Sequence, residues 1–483
     1  MTKPPEIGKT NEAVNAHDRK IYTCGTLRYT IFGLFMLFFW LLWGDFVSSL
    51  LDVNIPNILP LKLKDLGADD TTLMILNKTL AYGITFAFAP MVSFKSDRHR
   101  GRWGRRMPFL LWSTPFVGLF MVLIGCYGNI VHFFMGDAQQ VVVLGLTLSR
   151  QLLTLVVFGA LFVGFDFANI FVGTVYYYLF NDVVPEQFLS RFLSLFRIVG
   201  LLAGMLYNKF IFPHALEHFR FIFVAGGIAY AVGFLLMCFF VKEGDYPPPP
   251  ENIDKRTGLL SSIKTFRKEC FTHRFYWYFF LTSACFFVSY QSGVYSVIRN
   301  RDSLGLTLKQ LGNMAFYIAP VSLALQYPAG WLADKYNPIR VYMISTLICL
   351  FSNIAQCIFI FRDFGPATNL VLMYCMALLF MPFNAVSGAA EIPMYMRVLP
   401  KERYGQFCAA NAMLRSLAMI FGSIGASFFM DALRIHFHMD NWRYRYYPVW
   451  MFFFQAIAVV FMFLMYREWK RLGGNKAYKP PEV

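Results

Sequence analysis

The feature that most constrains this chain is a succession of apolar runs about 20 residues long, separated by short polar segments. A helix rises about 1.5 Å per residue, so roughly 20 apolar residues are needed to cross the hydrocarbon core of a bilayer. Inside that core only helices or closed barrels can pair every backbone N–H and C=O. Runs of this length predict helices near 29–58, 72–94, 108–128, 151–180, 191–212 and 219–241. A second series follows near 275–298, 311–333, 340–361, 369–396, 405–433 and 447–466. The fold class is therefore an all-α membrane protein with twelve transmembrane helices. With 57% hydrophobic and only 15% charged residues, an ordinary soluble domain is excluded.

The formal charge of +16 would suit a nucleic-acid binder. Yet the lysines and arginines sit in short segments between apolar runs rather than on one amphipathic face, so they read as topology signals and no nucleic-acid partner is expected. Segment 95–106 holds six basic residues against one acid, and 467–483 holds five against two. Segment 60–70 holds two against three, and 129–149 has no lysine or arginine. The positive-inside rule then places 95–106, the linker and both termini in the cytoplasm, in a multi-pass protein of the cell (inner) membrane. Segment 434–446, with three arginines on the expected outer side, runs against this pattern. The nine cysteines are scattered singly, which indicates neither a disulfide framework nor a zinc site. The first 27 residues are polar and charged, the wrong flank for a cleaved signal peptide, so the first apolar run is expected to remain as a helix.

The expected organisation is a tail at 1–28, a bundle at 29–241, a linker at 242–274, a second bundle at 275–466 and a tail at 467–483. The linker contains YPPPPENIDKR, whose four prolines favour an extended, semi-rigid spacer. Beyond it, Leu259, Ile263, Phe266 and Cys270 share one helical face, with Lys264, Arg267 and Lys268 elsewhere. That pattern suits a helix lying on an anionic leaflet, the alternative being an extension of the seventh helix.

An internal repeat links the two series. NIFVGTVYYYLFNDVVPEQFLSRF and NAVSGAAEIPMYMRVLPKERYGQF align without gaps, pairing Asn169 with Asn384, Gly173 with Gly388, Val183 with Val398, Pro185 with Pro400 and Phe192 with Phe407. SFKSDR pairs with GWLADK, setting Asp97 against Asp334. The difference in offset between the two pairings fits extra chain around 129–150.

Two pseudo-symmetric six-helix bundles joined by a cytoplasmic linker resemble the major facilitator superfamily. The resemblance implies a solute site between the halves near the bilayer midplane, exposed to each side in turn as they rock. Asp97, Arg98, Gly104, Arg105 and Arg106 resemble that superfamily's signature loop between helices 2 and 3. Ser93 stands at the usual leading glycine, while the second copy keeps Gly330 and Asp334. These residues imply a conformational latch, with Asp97 meeting either a neighbouring arginine or the positive N-terminus of helix 11 near Tyr404. The longer form, Ser96, Asp97, Arg98, then Arg102, Gly104, Arg105, Arg106, Pro108 and Phe109, is similar to the plant sucrose transporters and the related glycoside, pentoside and hexuronide cation symporters. That similarity implies import by a monomer.

A carboxylate inside a span is costly unless it faces a cavity or a partner, so it marks a pathway. Asp45 lies mid-span in helix 1, with Asp52 seven residues on along the same face. A carboxyl group held away from water is suited to carry a proton, and Asp45 is placed for that role. Asp166 in helix 4 lies one turn before Asn169, where it would bind a solute hydroxyl or the coupled proton. Glu391 and Asn384 in helix 10, Arg197 in helix 5 and Arg415 in helix 11 complete the candidates for coupling or binding. Each also has a bland reading, as a helix-to-helix hydrogen bond or a snorkelling cation.

The function expected is secondary active transport of a small polar solute, a sugar or glycoside, coupled to protons. Sodium remains open because Asp45, Asp52 and Asn54 offer oxygen ligands. No cofactor and no metal site is expected. Competing readings are a carrier of a non-sugar solute and a non-transporting membrane receptor or assembly factor. The chain has no Gly-x-Ser-x-Gly, His-Glu-x-x-His or phosphate-binding Gly-x-x-x-x-Gly-Lys motif, so it is not expected to be an enzyme.

Overall fold

The computed structural model describes residues 21–143, 146–246, 270–271 and 273–481. The amphipathic stretch expected at 259–270 lies outside them except for Cys270, which is buried.

Among the described residues, twelve helical crossings alternate between two faces. The face that carries the 96–106 loop and the described ends of the chain is called the tail face here, and the opposite one the far face. The first set comprises α1 (Ile31–Asp65), α2 (Asp70–Met74) running on into α3 (Leu80–Arg98), α4 (Met107–Gly125), α6 (Arg150–Val183), α7 (Glu186–Leu206) and α8 (Phe219–Phe240). The second comprises α9 (Arg274–Ser289) with α10 (Tyr295–Ile298), α11 (Leu308–Lys335), α12 (Pro338–Gln356), α13 (Pro366–Val398), α14 (Tyr404–Phe437) and α15 (Tyr447–Arg471). By length and apolarity alone, 10 of these qualify as membrane spans. The crossing that starts at α9 is broken by a 3-10 segment at Tyr290–Val294, and α11 carries Gln310, Asn313 and Gln326 among its apolar residues.

α1 continues seven residues past its expected end, with Pro56 and Pro60 inside it. Transmembrane helices tolerate such prolines because neighbouring helices cover the freed backbone groups. Both members of the repeat behave alike: Val183 and Val398, and likewise Phe192 and Phe407, are all 0% exposed. The extra chain of the first set folds as a short helix, α5 (Tyr127–Met135), and a hairpin of β3 (Gln140–Val143) with β4 (Leu146–Ser149) on the far face. A second hairpin, β1 (Tyr22–Cys24) with β2 (Leu27–Tyr29), precedes α1 in what the sequence reads as tail.

Candidate functional site

On the tail face the basic loop is tied to its own set. Arg106 bonds Asp97 at 2.5 Å and Asp182 at 3.1 Å, and donates to Ser96 Oγ at 2.6 Å. Arg105 holds Asp182 with two nitrogens, its Nε at 2.9 Å. These bonds join helices 2, 3 and 4, and Asp97 takes the neighbouring arginine as its partner. Arg98 instead stacks over Phe94, 4.1 Å from the ring centre. Glu243, just beyond α8, caps the start of α4: Oε1 accepts from the N–H groups of Arg106 (2.8 Å) and Met107 (2.5 Å), and Oε2 from that of Arg105 (2.8 Å). Burial pushes the Glu243 carboxyl above its ordinary range, against the pull of those three N–H groups. Gly104 makes this cap possible. It sits at φ +97°, and a Cβ there would stand 2.6 Å from the Cβ of Glu243. At Gly330, by contrast, a Cβ would meet open space, and the side chain of its companion Asp334 lies outside the described residues.

On the far face, bonds cross between the two sets. Asp70, 0% exposed, accepts from Arg443 Nε and from the Tyr444 hydroxyl, each at 2.7 Å. Thr71 donates to Asp431 at 2.6 Å, and Thr79 bonds Ser423 at 2.7 Å. Arg301 pairs with Asp65 and Lys209 donates to Asn313, at 2.9 and 2.8 Å. Gly312 lets the backbones touch, since a Cβ there would lie 2.1 Å from the Asn208 carbonyl oxygen. These contacts account for the three arginines that break the charge pattern. Arg434 pairs with Asp431 and Arg445 with Asp363, both at 3.0 Å, while Arg443 is held by Asp70. Each of the three is matched by a carboxylate.

Below this closure lie two adjoining cavities that share Phe287 and Tyr290. One, of about 160 Å³, is lined within the second set by Tyr290, Thr346, Asn384, Ser387, Glu391 and Gln455. Glu391 accepts from the Tyr395 hydroxyl at 2.8 Å, and Arg415 stacks over Phe287 at 3.7 Å. The other, of about 400 Å³, takes Asn57, Lys78 and Tyr82 from the first set and Tyr290, Gln291 and Met419 from the second.

The remaining candidates fall on both sides of this space. Asp45 is 3% exposed; Oδ1 accepts from Ser49 at 3.3 Å and Oδ2 is buried without a partner. Asp52 is exposed, one turn before the cavity residue Pro56. Asp166 is half-buried, interacts electrostatically with Lys78 and keeps a buried, unbonded Oδ2. Asn169 is half-buried one turn further on, and Arg197 is exposed on α7. Glu391, Asn384 and Arg415 are thus gathered in the second set and Asp166 with Lys78 in the first, while Asp45 stays inside the first set.

Sequence reasoning missed Lys78, Glu243 and the Asp70–Arg443 pair. Lys78 carries a usable signal, a lysine inside an apolar run. On the far face His214, Glu217 and His218, all exposed, bring ligand atoms within 4.8 Å of one another.

Helices crossing a membrane in two matched sets, around a polar cavity tied shut at one end, define a solute transporter. The profile of the Major Facilitator Superfamily matches residues 41–423 and 300–477, and the chain belongs to that family. No curated protein gives a significant sequence match. Among solved structures the chain is similar to a bacterial homologue of the iron transporter ferroportin in an inward-facing state, at 15% identity and TM-score 0.62 over 89% of this chain and 99% of that one. It is also similar to a bacterial homologue of the human lysosomal transporter Spinster (13%, 0.60, 91% and 97%) and to a D-xylose-proton symporter (11%, 0.60, 89% and 97%). These likenesses establish the fold, and the named solutes differ widely.

Proposed function

We propose that this transporter moves a small hydroxylated solute, a sugar or glycoside, by alternating access coupled to protons. The observation that carries the reading is the cavity lined from both sets and tied shut on the far face. Asn57, Tyr82 and Gln291 of that cavity, with Asn384, Ser387, Thr346 and Gln455 of the adjoining one within the second set, supply donors and acceptors, and Tyr290 and Phe287, shared by both, supply ring surfaces. The long Ser96–Phe109 motif supports kinship with the sucrose and glycoside symporters. Asp45 is the proton carrier in this scheme, buried with one oxygen unbonded, and Asp166 is the carboxylate that responds to the solute. The charge count assigns the tail face to the cytoplasm of the inner membrane, which makes this conformation the one open inward, in a chain acting as a monomer.

Uptake of labelled sugars into proteoliposomes under an imposed proton gradient tests the proposal. Accumulation should vanish in Asp45→Asn while gradient-free exchange of solute survives. Accumulation driven equally well by a sodium gradient alone, or unchanged in Asp45→Asn, would overturn the assignment of the proton.

A further inference from the structure

Lys78 has no counterpart in the reading above. It sits eight residues below Asp70, about 12 Å along the helix, where α2 loosens into a π-helical turn at Ile75–Thr79 before α3 begins. Such turns bulge a side chain out of the regular helical track and are frequent at functional sites. Here the turn presents Lys78 to the larger cavity. Among the described residues its ammonium has no hydrogen bond and no carboxylate within ion-pair distance; its neighbours are the Tyr82 ring, at 6.0 Å, and Asp166 through longer-range attraction. The residues lining that cavity include this one cation and no carboxylate. A lysine at this depth is costly to keep unless a partner arrives.

We propose that Lys78 anchors a carboxylate on the solute, so that the transported class is a small polyhydroxy acid carrying a single negative charge. This deepens the proposed function and rests on its placement of the solute between the halves. One ammonium with no carboxylate at ion-pair distance among the described residues matches one negative charge. Asn57, Tyr82 and Gln291 stand around it to receive hydroxyl groups, and the aromatic pair Phe287 and Tyr290 bounds the other end. Binding of the carboxylate would draw Lys78 away from Asp166. The occupied first set would then differ electrostatically from the empty one, as coupling between solute and proton requires.

The test uses the purified full chain and matched pairs of solutes that differ in charge: galacturonate with galactose, gluconate with sorbitol, glycerate with glycerol. Thermal stabilisation should set in at a lower concentration for the acid of each pair. Lys78→Gln should raise the half-saturating concentration of the acid about 10- to 100-fold, the usual range for losing a charge-assisted hydrogen bond, and so narrow or abolish the preference for the acid over its neutral partner. Lys78→Arg should retain the preference. If Lys78→Gln does not fold, the preference of the wild-type protein decides. Galactose binding as well as galacturonate would overturn the anchor and leave the sugar reading intact. A response to glycerate alone would sustain the anchor and overturn the sugar reading.

Discussion

The two faces of this molecule use the same chemistry to opposite ends. On the tail face Arg105, Arg106, Asp97, Asp182 and Glu243 form a dense network that stays within the first set, so it stiffens one half without touching the other. On the far face Asp70, Arg443, Thr71 and Asp431 reach across, and the charge pair at the centre of that bond is buried on both sides. Arg443 is 3% exposed and Asp70 0%, whereas Asp97 is 53% exposed. Where charges pair thus matters more than how many there are: pairs inside a half build a rigid body, and pairs between halves choose its orientation.

The largest expected effect comes from cutting the bridge between halves. Arg443→Met leaves Asp70 as a buried charge without its cation, a change that costs about 3–5 kcal/mol where it has been measured. Thermal unfolding of the purified variant should show that loss. A cysteine at Asn57 should also become reactive to an impermeant maleimide from the far side, and Asp70→Asn added to Arg443→Met should recover much of the stability. Unchanged stability and labelling in the single variant would mean the far-face pairs do not hold the halves together.

A smaller effect is expected on the tail face. Because the Glu243 carboxyl is raised by burial, the folded protein binds a proton there that the unfolded chain has already lost once pH passes its ordinary value near 4.5. The group's contribution to stability therefore falls as pH rises from that value through the raised one. Glu243→Gln should remove this part of the slope in a pH series of melting temperatures, without altering maleimide labelling at position 57. A change in labelling would show that the tail-face network also governs the halves.

The smallest effect should come from Arg301→Ala. Its partner Asp65 is 40% exposed, and a screened pair of this kind is worth up to about 1 kcal/mol. A loss as large as that of Arg443→Met would erase the distinction between centre and rim of the far-face closure.

Much of this architecture was legible in the residues themselves. Ten of the twelve crossings follow from apolar runs of bilayer length, and the repeat was readable because Val183 and Val398, or Phe192 and Phe407, occupy equivalent packing sites. Glu391, Asn384 and Asp166 stand out as polar groups in apolar surroundings; the first two line a cavity, and Asp166 interacts with the cavity residue Lys78. Helix ends were less legible: α1 runs seven residues past its apolar stretch, with Pro60 buried among its neighbours, which local sequence does not report.

Hydropathy and charge spacing are local properties, and by themselves they determined the number of spans, their alternation and the family resemblance. Only the tertiary structure decided that three arginines violating the charge pattern are neutralised, that Glu243 caps α4, and that, among the described residues, Lys78 has no carboxylate at ion-pair distance. Asp70 and Arg443 stand 373 residues apart, and nothing in either neighbourhood names the other. A buried charge is affordable only beside its partner, and which partner that is depends on how the helices pack.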